Sequence, residues 1–82
     1  MEKITSENKM GLTFGERAVG LTFNPSDDQN VHNVKELYAR IIDLCEDLRI
    51  VADSGQERLL SIAIKEAQGA QMWAVKGITW KE

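Results

Sequence analysis

Ser26-Asp27-Asp28-Gln29-Asn30-Val31-His32-Asn33-Val34-Lys35-Glu36-Leu37-Tyr38-Ala39-Arg40-Ile41-Ile42-Asp43-Leu44-Cys45-Glu46-Asp47-Leu48 is the stretch that decides the fold. Ser26 and Gln29 have the S-x-x-Q spacing of a capping box, and Asp27 and Asp28 put negative charge where a helix dipole favours it. A helix is therefore expected from Ser26. Within it Val31, Val34, Tyr38, Ile41, Cys45 and Leu48 recur at alternating steps of three and four and draw one apolar seam. Leu37, Ile41, Leu44, Leu48 and Val51 draw a second beside it, so the stripe is wider than one partner helix covers and predicts a helix that touches two neighbours.

Ser54-Gly55 breaks the pattern, and Ser54 with Glu57 repeats the capping spacing, so a second helix is expected to run to about Trp80. Ala63, Ala67, Ala70 and Ala74 form a strip of small side chains that lets another helix come close, widened by Leu60, Ile64 and Ile78. So short a connection makes the two helices antiparallel neighbours. Before them, the only proline, Pro25, and Gly11, Gly15 and Gly20 break the chain into an arm with room for one helical turn at Glu16 to Val19. The expected architecture is all-α, a single domain in which residues 1–25 are an N-terminal arm and 26–82 a helical hairpin.

Eighty-two residues, 43% hydrophobic but only 6% aromatic, make a thin private core. A lone chain of this size buries only a little over ~60% of its unfolded surface. Small domains compensate with disulfides, a metal or association. One cysteine, Cys45, and one histidine, His32, cannot build an internal disulfide or a closed Cys/His zinc site, so association is what remains. A net charge of -3 argues against a nucleic-acid coat or a polybasic membrane binder. The polar start and the lack of any run of 18 apolar residues predict no signal peptide and no membrane span, hence a cytoplasmic protein.

Folding the hairpin about Gly55 is expected to bring Lys35 near Trp73, with Tyr38, Met72, Lys76 and Trp80 at the same open end and Arg17, Thr22 and Phe23 of the arm over it. All five aromatic residues, Phe14, Phe23, Tyr38, Trp73 and Trp80, belong to this arm or end. Rings that accept base faces, mixed with cations that accept phosphate oxygens, suit a ligand carrying both. The plainer reading is the wide end of a core with lysines snorkelling over it. No nucleotide-binding glycine fingerprint is present. Cys45 reads as a buried thiol; Asp43, Glu46, Asp47 and Asp53 read as a solvated acidic edge; Ser61 lacks a base and is expected to bond back to the preceding turn. Nothing assembles an enzyme, a metal site or a cofactor site.

Gly15-Glu16-Arg17-Ala18-Val19-Gly20-Leu21-Thr22-Phe23-Asn24-Pro25-Ser26, then Val34-Lys35, Tyr38-Ala39 and Ile42-Asp43, then Ala70-Gln71-Met72-Trp73-Ala74-Val75-Lys76 with Thr79-Trp80, resemble the phage anti-CBASS and anti-Thoeris sponge proteins over roughly Leu12 to Lys81. The resemblance implies helical hairpins assembled as homohexamers, trimers of dimers. Such proteins hold cyclic oligonucleotide or cyclised ADP-ribose defence signals intact in the host cytoplasm, without catalysis. It implies that Lys35 contacts ligand phosphate with Tyr38 facing the same way. Arg17, Thr22, Phe23 and Asn24 would wall a pocket completed by another protomer, and Trp73 and Lys76 would belong to ligand or assembly. The family's glycine after Asn-Pro-Ser is Asp27 here. The short connection resembles the cyclic-oligonucleotide branch. From another class, a helical interaction adaptor or assembly subunit with only protein partners accounts for the seams alone.

Overall fold

The computed structural model describes residues 11–81, and these form α1 (Phe14–Val19), α2 (Gln29–Arg49) and α3 (Ser54–Ile78). The part of the arm before Gly11 lies outside the described residues. Each helix begins at an N-cap, though not always where the spacing put it. Asp28, not Ser26, caps α2: its carboxylate accepts the Asn30 N–H at 2.7 Å. Ser26 is occupied one step earlier, where its hydroxyl donates to Asn24 Oδ1 at 2.7 Å and accepts the Asp28 N–H at 3.1 Å. Asp53, not Ser54, caps α3 in a reciprocal box with Gln56. An aspartate next to a serine competes for the same amides, and its charge wins at the positive end of the helix dipole. Among the three helices, α1 carries a box that the spacing analysis passed over: Thr13 Oγ1 accepts the Glu16 N–H at 3.1 Å, and Glu16 Oε1 accepts the Thr13 N–H at 3.0 Å. This starts the short helix at Phe14 rather than Glu16. Gly20, at φ 66, ends it in the left-handed conformation, with the Leu21 N–H returning to Glu16 O at 2.9 Å.

α2 and α3 form the expected antiparallel hairpin, joined by residues 50–53, and α1 lies mainly against α2. The stripe of α2 that turns inward runs through Val31, Lys35, Ala39 and Ile42, beside the first expected seam on the side away from the second. Val34, Tyr38 and Cys45 of the first seam are half-buried, but Ile41 and Leu48 face out. The inward stripe escaped the pattern because Lys35 counts as polar and Ala39 as small. Gly15 is needed without a side chain at this place. A Cβ on Gly15 would stand 2.2 Å from the Ala39 carbonyl oxygen, so α1 and α2 touch backbone to backbone at that crossing.

The buried apolar cluster is Val19, Ala39, Ile42 and Ile64, with Phe14, Ala18, Leu21, Tyr38, Cys45 and Ala67 packed around it. The alanine strip of α3 does not run along this core: Ala67 packs on it and Ala74 is half-buried, while Ala63 and Ala70 are exposed. The second seam of α2 stays largely exposed among the described residues, with Leu48 and Val51 at its end lining a hollow with Leu59 and Leu60 of α3. The molecule measures 46 × 28 × 14 Å, one helix thick in its shortest direction, so it has two broad faces and little interior.

Two readings of single residues change. Asp43 is not part of a solvated acidic edge: it is half-buried and accepts the Gly15 N–H and the Thr13 hydroxyl, each at 2.7 Å. Ser61 does bond to the preceding turn, donating to Glu57 Oε2 at 3.0 Å. Glu57 and Glu46 also hold Arg49, each at 3.0 Å, across the closed end.

Candidate ligand site at the open end

The segment between α1 and α2 is wound tightly by its own sequence. The Phe23 N–H donates to Gly20 O at 2.9 Å, and the Asp27 N–H donates to Asn24 O at 3.0 Å, closing a turn over Asn24-Pro25-Ser26-Asp27. Proline at the second place of such a turn has its φ already set. Asp27 has φ 57, the left-handed region that favours glycine, and it is the one described non-glycine residue there. Asn24 Nδ2 donates to Asp28 O at 3.1 Å and ties the turn to the start of α2.

Lys35 reaches into this loop from the second turn of α2. Its side chain is almost wholly buried, with 6% of the residue exposed. Its Nζ donates to Gly20 O at 2.9 Å and to Phe23 O, and stands 5.5 Å from the centre of the Phe23 ring. Burial pulls its pKa below the usual 10.5, because the charged ammonium has lost water. Among the described residues no carboxylate lies within ion-pairing distance of it. The charge is met by two carbonyl dipoles and a ring face.

Two hollows flank this ammonium. One, of about 230 Å³, is walled by Phe23, Asn24, Pro25, Ser26, Val31, Lys35, Val75 and Thr79. The other, of about 270 Å³, is walled by Val19, Gly20, Phe23, Lys35, Gln71, Met72 and Val75. Each is below the ~300–1,000 Å³ of ordinary small-molecule sites, and both are open. Gln71, buried at 6% exposure, holds its Oε1 there without a hydrogen-bond partner.

The expected site residues therefore divide. Phe23, Asn24 and Lys35 share one hollow, and Phe23 and Lys35 share the second. Thr22 lies with Asn24 in a third hollow, on the acidic side of the loop with Asp27, Asp28 and His32. Tyr38 packs on the core one turn beyond Lys35. Arg17 is exposed on α1. Trp73 is not beside Lys35 as expected: it is 74% exposed on the outer face of α3. There the Lys76 ammonium lies 5.8 Å from the Trp73 ring centre and 5.7 Å from that of Trp80. The residues opposite Lys35 are Gln71, Met72 and Val75, of which the sequence reading placed only Met72 at this end. Strict equidistance from Gly55 pairs Lys35 with Val75 and Val31 with Thr79, and would have found the facing wall. Among the described residues no three potential metal ligands come together, and no helix is long and apolar enough to cross a membrane.

A helical hairpin with a short helix folded over its open end, holding a buried lysine against a Phe-Asn-Pro-Ser turn, defines a small all-helical hairpin domain. The chain matches the model of the Acb2/Tad1 hairpin domain over residues 16–79, and it belongs to that family. The matched region spans the Arg17 to Asn24 arm, Lys35 and the Trp73 to Lys76 segment together. No curated protein and no solved structure matches the chain.

Proposed function

We propose that the protein is a non-enzymatic sponge that captures cyclic oligonucleotide second messengers of bacterial anti-phage defence, cyclic dinucleotides and trinucleotides, so that their effectors stay silent. The observation that carries this reading is Lys35: a buried cation answered, among the described residues, only by carbonyls and a ring, beside the exposed Phe23 face and between two hollows. A phosphate supplies the charge the site lacks, and Phe23, 70% exposed, offers a stacking surface to a base. Thr22, Asn24 and Tyr38 shape the loop and its floor. Arg17 from α1, and Trp73 with Lys76 from the outer face of α3, complete the pocket of a neighbouring protomer.

Assembly follows from size. Hollows of about 230 and 270 Å³ are too small and open to enclose a dinucleotide, so a second protomer must supply the missing wall, within a homohexamer built as a trimer of dimers. The four-residue connection between α2 and α3 favours the cyclic-oligonucleotide branch of the family over the one that holds cyclised ADP-ribose. The setting is the cytoplasm of a phage-infected host. Calorimetry with a panel of cyclic dinucleotides, cyclic trinucleotides and cyclised ADP-ribose, on protein of measured solution mass, tests this. Tight binding of a cyclic oligonucleotide supports it; failure of the whole panel leaves the adaptor reading in its place.

A further inference from the structure

Among the described residues, Gln71 alone buries a side-chain polar atom that has no partner: the residue is 6% exposed, and its Oε1 is shut away from water without a hydrogen bond. A buried carbonyl oxygen in this state costs free energy that an entering donor relieves. The hollow of about 270 Å³ that Gln71 walls supplies no side-chain donor for it. Val19, Met72 and Val75 carry none, and the Lys35 ammonium is turned to Gly20 O and Phe23 O. Access needs little rearrangement. Met72, which borders the hollow, is 63% exposed and unbranched, and the last torsion of a glutamine has a broad range.

We infer that Gln71 reads the base of the captured ligand and selects adenine, its Oε1 accepting the six-amino N–H while its own amide nitrogen donates to the neighbouring ring nitrogen. This rests on the capture of cyclic oligonucleotides proposed above and adds which base they carry. A phosphate beside Lys35 presents only acceptors and would oppose Oε1, so the group that meets the amide comes from the base. Phe23, 70% exposed, walls the same hollow and takes the face of that base, which leaves its edge for Gln71. An amide with one acceptor and one donor matches the adenine edge, an amine beside a ring acceptor. Guanine presents two acceptors on that edge, and hypoxanthine has an oxygen where adenine has its amine. An oxygen set against Oε1 leaves both unpaired, which is how a site built for one hydrogen bond rejects the analogue that lacks it.

Calorimetry on the full chain with cyclic di-AMP and cyclic di-IMP, whose bases carry an amine and an oxygen respectively at the six-position, tests it. The wild type is expected to bind cyclic di-AMP at least tenfold more tightly. Gln71→Met keeps the length of the side chain and removes the amide, and is expected to bring the two ligands within about threefold of each other. Gln71→Leu is expected to behave alike, with circular dichroism and solution mass unchanged in both variants because the lost Oε1 had no partner. A wild type that binds the two alike or prefers cyclic di-IMP, or a variant that keeps the wild-type preference, overturns the inference while capture of cyclic oligonucleotides stands. Loss of helix or a changed mass in both variants assigns the amide to the fold or to contact between copies, and overturns it too. A wild type that binds neither ligand overturns it as well, and failure of every other cyclic oligonucleotide besides overturns the capture on which it rests.

Discussion

The carboxylate of Asp43 accepts the backbone N–H of Gly15 at 2.7 Å, and this bond docks the short α1 onto the middle of α2. Its second oxygen takes the Thr13 hydroxyl at the same distance. One acidic side chain thus answers the N-terminus of α1 while Gly15 lets the two backbones meet. Asp43→Ala removes both acceptors and is expected to cost about 2 kcal/mol, read in denaturant melts. Gly15→Ala forces a methyl group to within 2.2 Å of Ala39 O, so α1 must shift away. Hydrogen exchange at the Gly15 and Glu16 amides is expected to speed up in both variants, while the α2 and α3 amides stay protected.

The pH dependence of Lys35 has a definite sign. Its folded pKa lies below the unfolded 10.5 because of burial, so the unfolded chain binds the proton more tightly. The cost to stability is fully present below the folded pKa. It is relieved as pH rises from that lowered value through 10.5. Lys35→Met removes this trend, so the wild type is expected to gain stability relative to the variant as pH rises across that window. Ligand binding runs the other way: a phosphate needs the ammonium, so affinity is expected to fall as pH passes the lowered pKa, and Lys35→Met is expected to weaken binding by at least tenfold.

Asp27 holds φ 57, where an aspartate is tolerated and a glycine is at ease. Asp27→Gly is expected to raise stability by about 0.5 kcal/mol and to leave the turn unchanged, because the Asp27 N–H, not its side chain, closes it onto Asn24. A loss of stability would show that the carboxylate has a structural task.

Trp73 and Lys76 separate folding from function. Trp73 is 74% exposed, so Trp73→Ala is expected to change the stability of the lone protomer by no more than about 0.5 kcal/mol. If the outer face of α3 completes a neighbour's pocket, Trp73→Ala and Lys76→Ala each weaken ligand affinity about tenfold while the Lys35 loop keeps its hydrogen-exchange pattern. Unchanged affinity in both variants removes these residues from the site.

The hairpin and the arm's helical turn were legible because capping spacings and apolar periodicity are local signals, but the break expected at Ser54-Gly55 lies earlier, at residues 50–53, and Ser54 and Gly55 open α3. What periodicity mistook was which face turns inward. Lys35 and Ala39 carry the inward stripe of α2, and neither has an apolar side chain large enough to register, while the most regular seam, Leu37 to Val51, points outward. The role of Asp43 was invisible for another reason: its partners, Thr13 and Gly15, lie about thirty residues earlier in the chain, and a carboxylate among other acids reads as solvated surface. Phe23, Asn24 and Lys35 were placed together by the family's motif, whereas Gln71 and Val75 are found only once the two helices are set in register.

Sequestration of an intact signal is the central claim, and calorimetry followed by recovery of the ligand tests it most directly. The purified assembly is titrated with cyclic dinucleotides and trinucleotides, then heated, and the released small molecule is separated by chromatography. The account predicts a dissociation constant near nanomolar for at least one of them, about -12 kcal/mol, and a released molecule identical to the one added. Absence of binding across the panel, or recovery of a linearised product, contradicts it.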